Sequence, residues 1–145
     1  MHAQACERAF DPAAAVLVHG DAHATNTLRD PHRPGAFKLV DPDGLLAEPA
    51  CDLAVPMREW SRQLLDARDV TAAAEERCRR LSRLTGVAAA PIWRWGFMER
   101  VSSGLLLLSL GREREGRPML EVAEAIVGGG GGLGERTSRH RRPGG

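Results

Sequence analysis

The chain has 145 residues, 43% of them hydrophobic and 27% charged, with a formal net charge of +1. That length suits one small domain or part of a larger protein, and the apolar fraction suits a packed core. The near-neutral charge balance gives no reason to expect a nucleic-acid or membrane partner, and no apolar run is long enough to span a bilayer.

The first ten residues, Met1 to Phe10, carry Glu7 and Arg8 and lack the apolar core of a signal peptide. Cys6, Cys51 and Cys78 are scattered and odd in number, with no CxxC spacing. They predict a reducing, cytoplasmic setting without a disulfide framework or a zinc site. Val16-Leu17-Val18 predicts a short buried strand that stops at His19-Gly20-Asp21. Thr27-Leu28 is a second extended candidate. Asp30-Pro31 and Pro34-Gly35 are turn signals, and Ala36 to Val40 predicts a strand ending at Asp41-Pro42-Asp43-Gly44. The last two strands, joined through the Pro/Gly loop, make a hairpin flanked by acidic residues.

After Pro49 the pattern turns helical. Ala50 to Ala54 gives about one turn, continued by Val55 to Leu65 with Trp60, Leu64 and Leu65 as its apolar residues. Thr71 to Leu84 predicts a helix capped by Thr71, with Glu75 and Glu76 near its start and Gly86 as its stop. Pro91 to Leu110 predicts a long helix whose apolar side carries Ile92, Trp95, Met98, Ser102 and Leu105, closed by Gly111. Pro118 to Val127 predicts a last helix with Leu120, Ala123 and Val127 on one face. From Gly128 onward the glycine run and Arg136, Arg139, Arg141 and Arg142 predict a disordered tail over 128–145. Gly129, Gly131 and Gly134 fit GxGxxG, but no strand precedes them, so they read as a linker.

Three polar residues stand at predicted strand ends: Asp21, Asn26 and Asp41, with four residues between the first two. Phosphoryl transfer needs such a set. One carboxylate orients the attacking hydroxyl and accepts its proton, while an amide oxygen and a second carboxylate hold magnesium on the phosphates. Hard oxygen ligands suit magnesium, and few are needed because phosphate and water complete its shell. Protein kinases space a His-preceded Asp and an Asn in this way and follow them with a second Asp after a hairpin. Any one of these residues alone reads as a turn cap. An alternative is a metal-dependent hydrolase with His19, Asp21 and His23 as ligands, although His2, His32 and His140 do not complete a cluster.

The segment His19-Gly20-Asp21-Ala22-His23-Ala24-Thr25-Asn26-Thr27-Leu28 resembles the HGDLHxxNxL signature of the aminoglycoside phosphotransferase family. Leu39 to Gly44, followed by Glu48-Pro49-Ala50-Cys51-Asp52-Leu53-Ala54, resembles that family's IDPxG and DPAYDLA signatures. The wording is most similar to the streptomycin 6-kinase branch, the aminoglycoside/hydroxyurea antibiotic resistance kinases. The resemblance covers Val16 to Val55 closely and Pro56 to Val127 diffusely. It implies the C-terminal lobe of a protein-kinase-like fold over 1–127, mainly helical with a small antiparallel hairpin carrying the site. Motifs would fill 16–55 and helices 56–127.

The resemblance also implies roles. Asp21 would be the catalytic base, and Asn26 and Asp41 would bind Mg2+. His19 and His23 would brace the loop, and Asp52 would anchor it through backbone amides. ATP would be the phosphoryl donor and an aminoglycoside alcohol the acceptor. Acidic residues such as Glu59, Asp66 and Glu99 are candidates to meet a cationic sugar. Ala22, Glu48 and Cys51 stand where the family has Leu, Asp and Tyr, so a looser loop is expected. Family members place a nucleotide-binding lobe, with its strand lysine, ahead of this region. Only 18 residues precede His19, and the sole lysine, Lys38, follows the loop. The N-terminal lobe and its nucleotide lysine are therefore expected to be absent, leaving a truncated or catalytically silent chain. The apolar surface so exposed predicts self-association. The same loops also serve kinases of other small hydroxylated metabolites, so the acceptor stays open.

Overall fold

The computed structural model describes residues 12–130 and 132–134, so the expectations for Met1–Phe10, Cys6 and the arginines beyond Gly134 lie outside the described residues. A 3-10 turn, Pro12–Ala14, leads into β1 (Val16–Val18); a second, Ala24–Asn26, leads into β2 (Thr27–Arg29). β3 (Phe37–Leu39) and β4 (Leu45–Ala47) follow. Five helices come next: α1 (Pro49–Arg58), α2 (Ser61–Leu65), α3 (Val70–Thr85), α4 (Ala89–Ser109) and α5 (Glu113–Gly128). A 3-10 turn at Gly132–Gly134 ends the described chain. The architecture is mainly helical with small antiparallel β elements, and among the described residues no helix is long and apolar enough to cross a membrane.

The β part is two ribbons rather than one hairpin. β2 and β3 form the expected hairpin, pairing Thr27 with Leu39 and Arg29 with Phe37. β1 pairs with β4, Val16 opposite Ala47 and Val18 opposite Leu45, so the hairpin is inserted between the two strands of an outer ribbon. Leu45-Leu46-Ala47 has no β-branched residue to mark it as a strand. The nesting brings the 19–26 and 40–44 segments together, because both leave the same end of the outer ribbon.

Only Val18 of β1 is buried, in contrast to the buried strand the apolar run predicts. A two-stranded ribbon has two faces, and here the paired Leu17 and Leu46 are 74% and 75% exposed. Val16, Leu28, Phe37, Leu39 and Leu45 are exposed as well. Exposed apolar side chains in this number favour association. The expected light-scattering result is a mass that rises with protein concentration and falls back in a Leu17→Lys/Leu46→Lys variant. A monodisperse wild-type monomer at high concentration contradicts this.

Pro49 starts α1 at its first position, where its missing N–H costs nothing. The helix does not run on to Leu65. It breaks at Glu59-Trp60, where Trp60 takes the left-handed conformation (φ 52°) and is exposed rather than packed. Arginine side chains from later helices claim the carbonyls at this break. Arg100 donates to Met57 O, to Arg58 O (3.5 Å) and to Ser61 Oγ (2.7 Å), while Arg77 donates to Glu59 O (3.1 Å). Arg100 is 2% exposed. Burial, with the Arg77 charge adding to it, pulls its pKa down to about 10. The negative end of α1 supplies the compensation.

α3 is capped by Asp69, whose carboxylate accepts from Ala72 N at 2.8 Å, and not by Thr71, which is buried. Gly86 ends the helix with φ 77°, as its position predicts. α4 buries Ile92, Trp93, Gly96, Arg100 and Gly104; of the predicted stripe, Ile92 is buried and Trp95 packs on the core, while Ser102 and Leu105 are exposed. The face is chosen by close approach. A Cβ at Gly96 would lie 2.8 Å from Met57 Cβ, and one at Gly116 of α5 would lie 2.6 Å from Gly104 O. α5 begins at Glu113, with Pro118 inside it, and buries Gly116, Val122, Ala123 and Ile126 while Val127 is exposed. Pro118 has no N–H for the carbonyl of Arg114, and that oxygen takes the Arg62 guanidinium instead (3.4 Å). The glycine run is not all tail: Gly132 is buried against Trp93, and Leu133 packs on the core.

The core joins Ala50 and Met57 of α1, Leu64 of α2, Ala74 and Cys78 of α3, Ile92 and Trp93 of α4, and Val122 and Ile126 of α5. Burial, together with Glu75, pushes the Cys78 thiol from 9.0 up to about 12. The folded value lies above the unfolded one, so the stability it contributes is whole below pH 9 and is lost as pH rises toward 12. The slope is on the order of 1 kcal/mol per pH unit. Denaturant titrations between pH 9 and 11 are expected to show wild type losing stability faster than Cys78→Ala; parallel curves contradict it.

Candidate active site

The segment from His19 to Asn26 is held from several sides. Asp52, in the first turn of α1, accepts the backbone amides of His19 and Gly20 on its two carboxylate oxygens, each at 2.7 Å. Gly20 has φ 86°, and a Cβ there would lie 2.9 Å from Asp43 Cβ, so the tight turn and the close approach both require glycine. The His19 ring bridges the two segments that leave the outer ribbon. Nε2–H donates to Val40 O (3.0 Å), and Nδ1 accepts from Asp21 N (3.3 Å). His19 O accepts from Asp43 N (2.8 Å) and Gly44 N (3.2 Å), which extends the β1–β4 pairing by one step.

Asp21 is the centre of the polar cluster. Its Oδ2 takes Asn26 Nδ2 (3.1 Å) and His23 Nε2 (2.8 Å), and its Oδ1 takes the Arg58 guanidinium (2.9 Å). Asn26 Nδ2 also donates to Asp21 O (3.0 Å), closing a loop of five residues' separation. Thr25 Oγ1 lies 2.6 Å from His23 Nδ1. Arg58 reaches on to Glu99 Oε2 of α4 (2.6 Å). Burial works against the Arg58 charge, but the bonds and charges of Glu99 and Asp21 outweigh it and raise the pKa.

Asp41 is placed by the hairpin, and among the described residues no side-chain hydrogen bond links it to Asp21 or Asn26. Val40 N donates to Asn26 O (2.9 Å), so the β2–β3 register continues to Asn26 opposite Val40, and Asp41 is the next residue. Asp41 is exposed and has φ 59°, a conformation uncommon for a residue with a side chain and often kept at functional sites. Asn26 directs its amide nitrogen at Asp21, which leaves its Oδ1 turned the other way. Asn26 Oδ1 and the Asp41 carboxylate are hard oxygen donors, and among the described residues neither takes a hydrogen bond or ion pair. Both are of the donor type that suits a small divalent cation with phosphate and water as its remaining ligands.

The metal-hydrolase alternative loses its histidines to these contacts. Both ring nitrogens of His19 and both of His23 are engaged within the fold. Of the acidic residues proposed for a cationic acceptor, only Glu99 reaches the loop, through Arg58. Asp66 lies on a surface groove with Arg62 and Arg117, and Glu59 sits at the break after α1. Glu48 is the N-cap residue of α1, but its side chain accepts from Trp95 Nε1 (3.2 Å) rather than from a helix amide. Lys38 Nζ lies 3.4 Å from the buried Asp30, inside the hairpin and paired there. Arg58 is the member of the cluster that sequence reasoning passes over, because a single arginine near a helix end carries no spacing signal.

Comparison of the chain with family models, with curated proteins and with solved structures returns no match.

Proposed function

We propose that this chain is the acceptor-activating lobe of an ATP-dependent phosphotransferase acting on an alcohol group of an aminoglycoside antibiotic of the streptomycin type. One observation carries the reading: Asp21 is bonded to Asn26, and Asp41 stands one residue past Asn26's partner across the hairpin. The likeness of His19–Leu28 and Leu39–Ala54 to aminoglycoside phosphotransferase signatures supports the same reading and supplies its acceptor class.

In this mechanism Asp21 accepts a hydrogen bond from the acceptor hydroxyl and aims its oxygen at the γ-phosphorus. The new O–P bond forms as the bond from that phosphorus to the β–γ bridging oxygen breaks. The hydroxyl proton passes to Asp21, and ADP leaves with the bridging oxygen. Asn26 and Asp41 are the residues that would hold Mg2+, which when bound neutralises charge on the phosphates. His19 keeps the Asp21 and Asp41 segments at a fixed spacing, and Asp52 fixes the loop backbone. The chain's only lysine, Lys38, follows the catalytic loop in sequence. A kinase-type nucleotide lysine precedes that loop, which favours a second reading in which the lobe alone is catalytically silent.

The deciding experiment incubates the chain with Mg2+, ATP and streptomycin, with choline and other small hydroxylated metabolites as parallel acceptors, and follows phosphorylated product by mass spectrometry. Phosphorylated streptomycin is the expected product. Product only on another acceptor keeps the chemistry and replaces the substrate. No product on any acceptor establishes the silent lobe.

A further inference from the structure

Arg58 stands in the last turn of α1, two residues before the left-handed Trp60. Its NH1 donates to Glu99 Oε2 at 2.6 Å and its NH2 to Asp21 Oδ1 at 2.9 Å. The side chains of Arg58, Asp21 and Glu99 are 21%, 32% and 24% exposed, so the chain of charges is more sheltered than an ordinary surface pair. The end of α1 that carries Arg58 is itself pinned, since Arg100 and Arg77 take the carbonyls of residues 57–59.

Two features separate this arrangement from a stray ion pair. First, α1 grips three successive loop residues: Asp52 holds the amides of His19 and Gly20, and Arg58 holds the side chain of Asp21. Second, the two oxygens of Asp21 are restrained by different elements. Oδ2 faces Asn26 and His23 of its own loop, and Oδ1 faces Arg58. A carboxylate held at both ends cannot rotate about its terminal bond without breaking a charge-assisted contact.

We propose that Arg58, braced by Glu99, is a positioning residue that sets the rotation of the Asp21 carboxylate toward the acceptor hydroxyl. The inference rests on the reading of Asp21 as the catalytic base. A neighbouring cation weakens a carboxylate as a proton acceptor, which looks unfavourable for a base. In phosphoryl transfer, however, proton transfer contributes little and alignment contributes much. Glu99 also balances the added charge. Lysine cannot replace Arg58 here, because one ammonium has no rigid fork with which to meet two carboxylates.

The test compares wild type with Arg58→Gln, Arg58→Lys and Glu99→Gln, first by kinetics. The expected result is a kcat lower by about 10- to 100-fold in both Arg58 variants, with KM for ATP within about twofold. Glu99→Gln, which leaves Arg58 in place, is expected to show a smaller loss in the same parameter. An unchanged kcat in Arg58→Gln overturns the proposal, as does full rescue by lysine. If wild type itself turns nothing over, the kinase reading fails, and the positioning role is then read by NMR. In Arg58→Gln the Asn26 side-chain amide signals are expected to shift, while the His19 and Gly20 amides bonded to Asp52 keep their exchange protection. Unmoved Asn26 signals overturn the proposal, and the Glu99→Gln spectrum decides it if Arg58→Gln does not fold.

Discussion

Asp21→Asn lowers phosphoryl transfer by about 10²- to 10⁴-fold, chiefly because the acceptor hydroxyl loses the carboxylate that aligns it, while the loop keeps its backbone path. The path survives because Asp52 anchors it through the amides of His19 and Gly20 and not through the residue-21 side chain. The carboxylate, by contrast, is heavily engaged, with three of its roughly four lone-pair positions taken. It accepts from Asn26, His23 and Arg58, all of them donors. An asparagine presents one oxygen and one NH2 to those three groups, so at least one donor faces a donor and the side chain turns. The loss therefore has two sources, the missing proton acceptor and the altered orientation. Single-turnover transfer with saturating ATP, alongside circular dichroism to verify folding, measures it. A variant that keeps the wild-type rate removes Asp21 from the mechanism.

Asp52→Ala has the largest expected effect on stability. Two half-buried amides lose a charged acceptor, and hydrogen bonds to charged groups are worth about 1.5–3 kcal/mol each. Partial solvent access reduces the sum, so a destabilisation of roughly 2–4 kcal/mol is expected from denaturant unfolding. Faster hydrogen exchange at His19 and Gly20 is expected with it. Asp52→Asn keeps one acceptor oxygen and is expected to lose about half as much. The consequence for activity follows from the Arg58 contact. With the amides released, that single bond from α1 is left to hold the loop, and transfer falls even though residues 21, 26 and 41 are intact. Equal stability of wild type and Asp52→Ala contradicts the anchoring role.

Much of the β part was legible because its turns are written in proline and glycine. Asp30-Pro31 and Pro34-Gly35 mark the hairpin, and its pairing sets Asn26 opposite Val40, the residue before Asp41. β4 was not legible, since Leu45-Leu46-Ala47 is a strand only because β1 offers it a partner. The helices were legible in rough extent, except for the break at Glu59-Trp60, but not in all of their buried faces. Apolar periodicity weighs bulky residues, whereas α4 chooses its face by how closely Met57 and Gly116 approach Gly96 and Gly104. The cap of α3 moved from Thr71 to Asp69 for a related reason: Thr71 is drawn into the core, and Gly129 packs on its hydroxyl. In the candidate site, the loop residues announce themselves by spacing within a short segment. Arg58 does not, because its partners lie 37 and 41 residues away.

Since one helix, α1, holds three successive residues, 19 to 21, a rocking of that helix pulls on all three together. Asp41 rides on the hairpin instead. Widening of the gap between the two aspartates is opposed by the His19–Val40 bond and by the amides of Asp43 and Gly44 on His19 O.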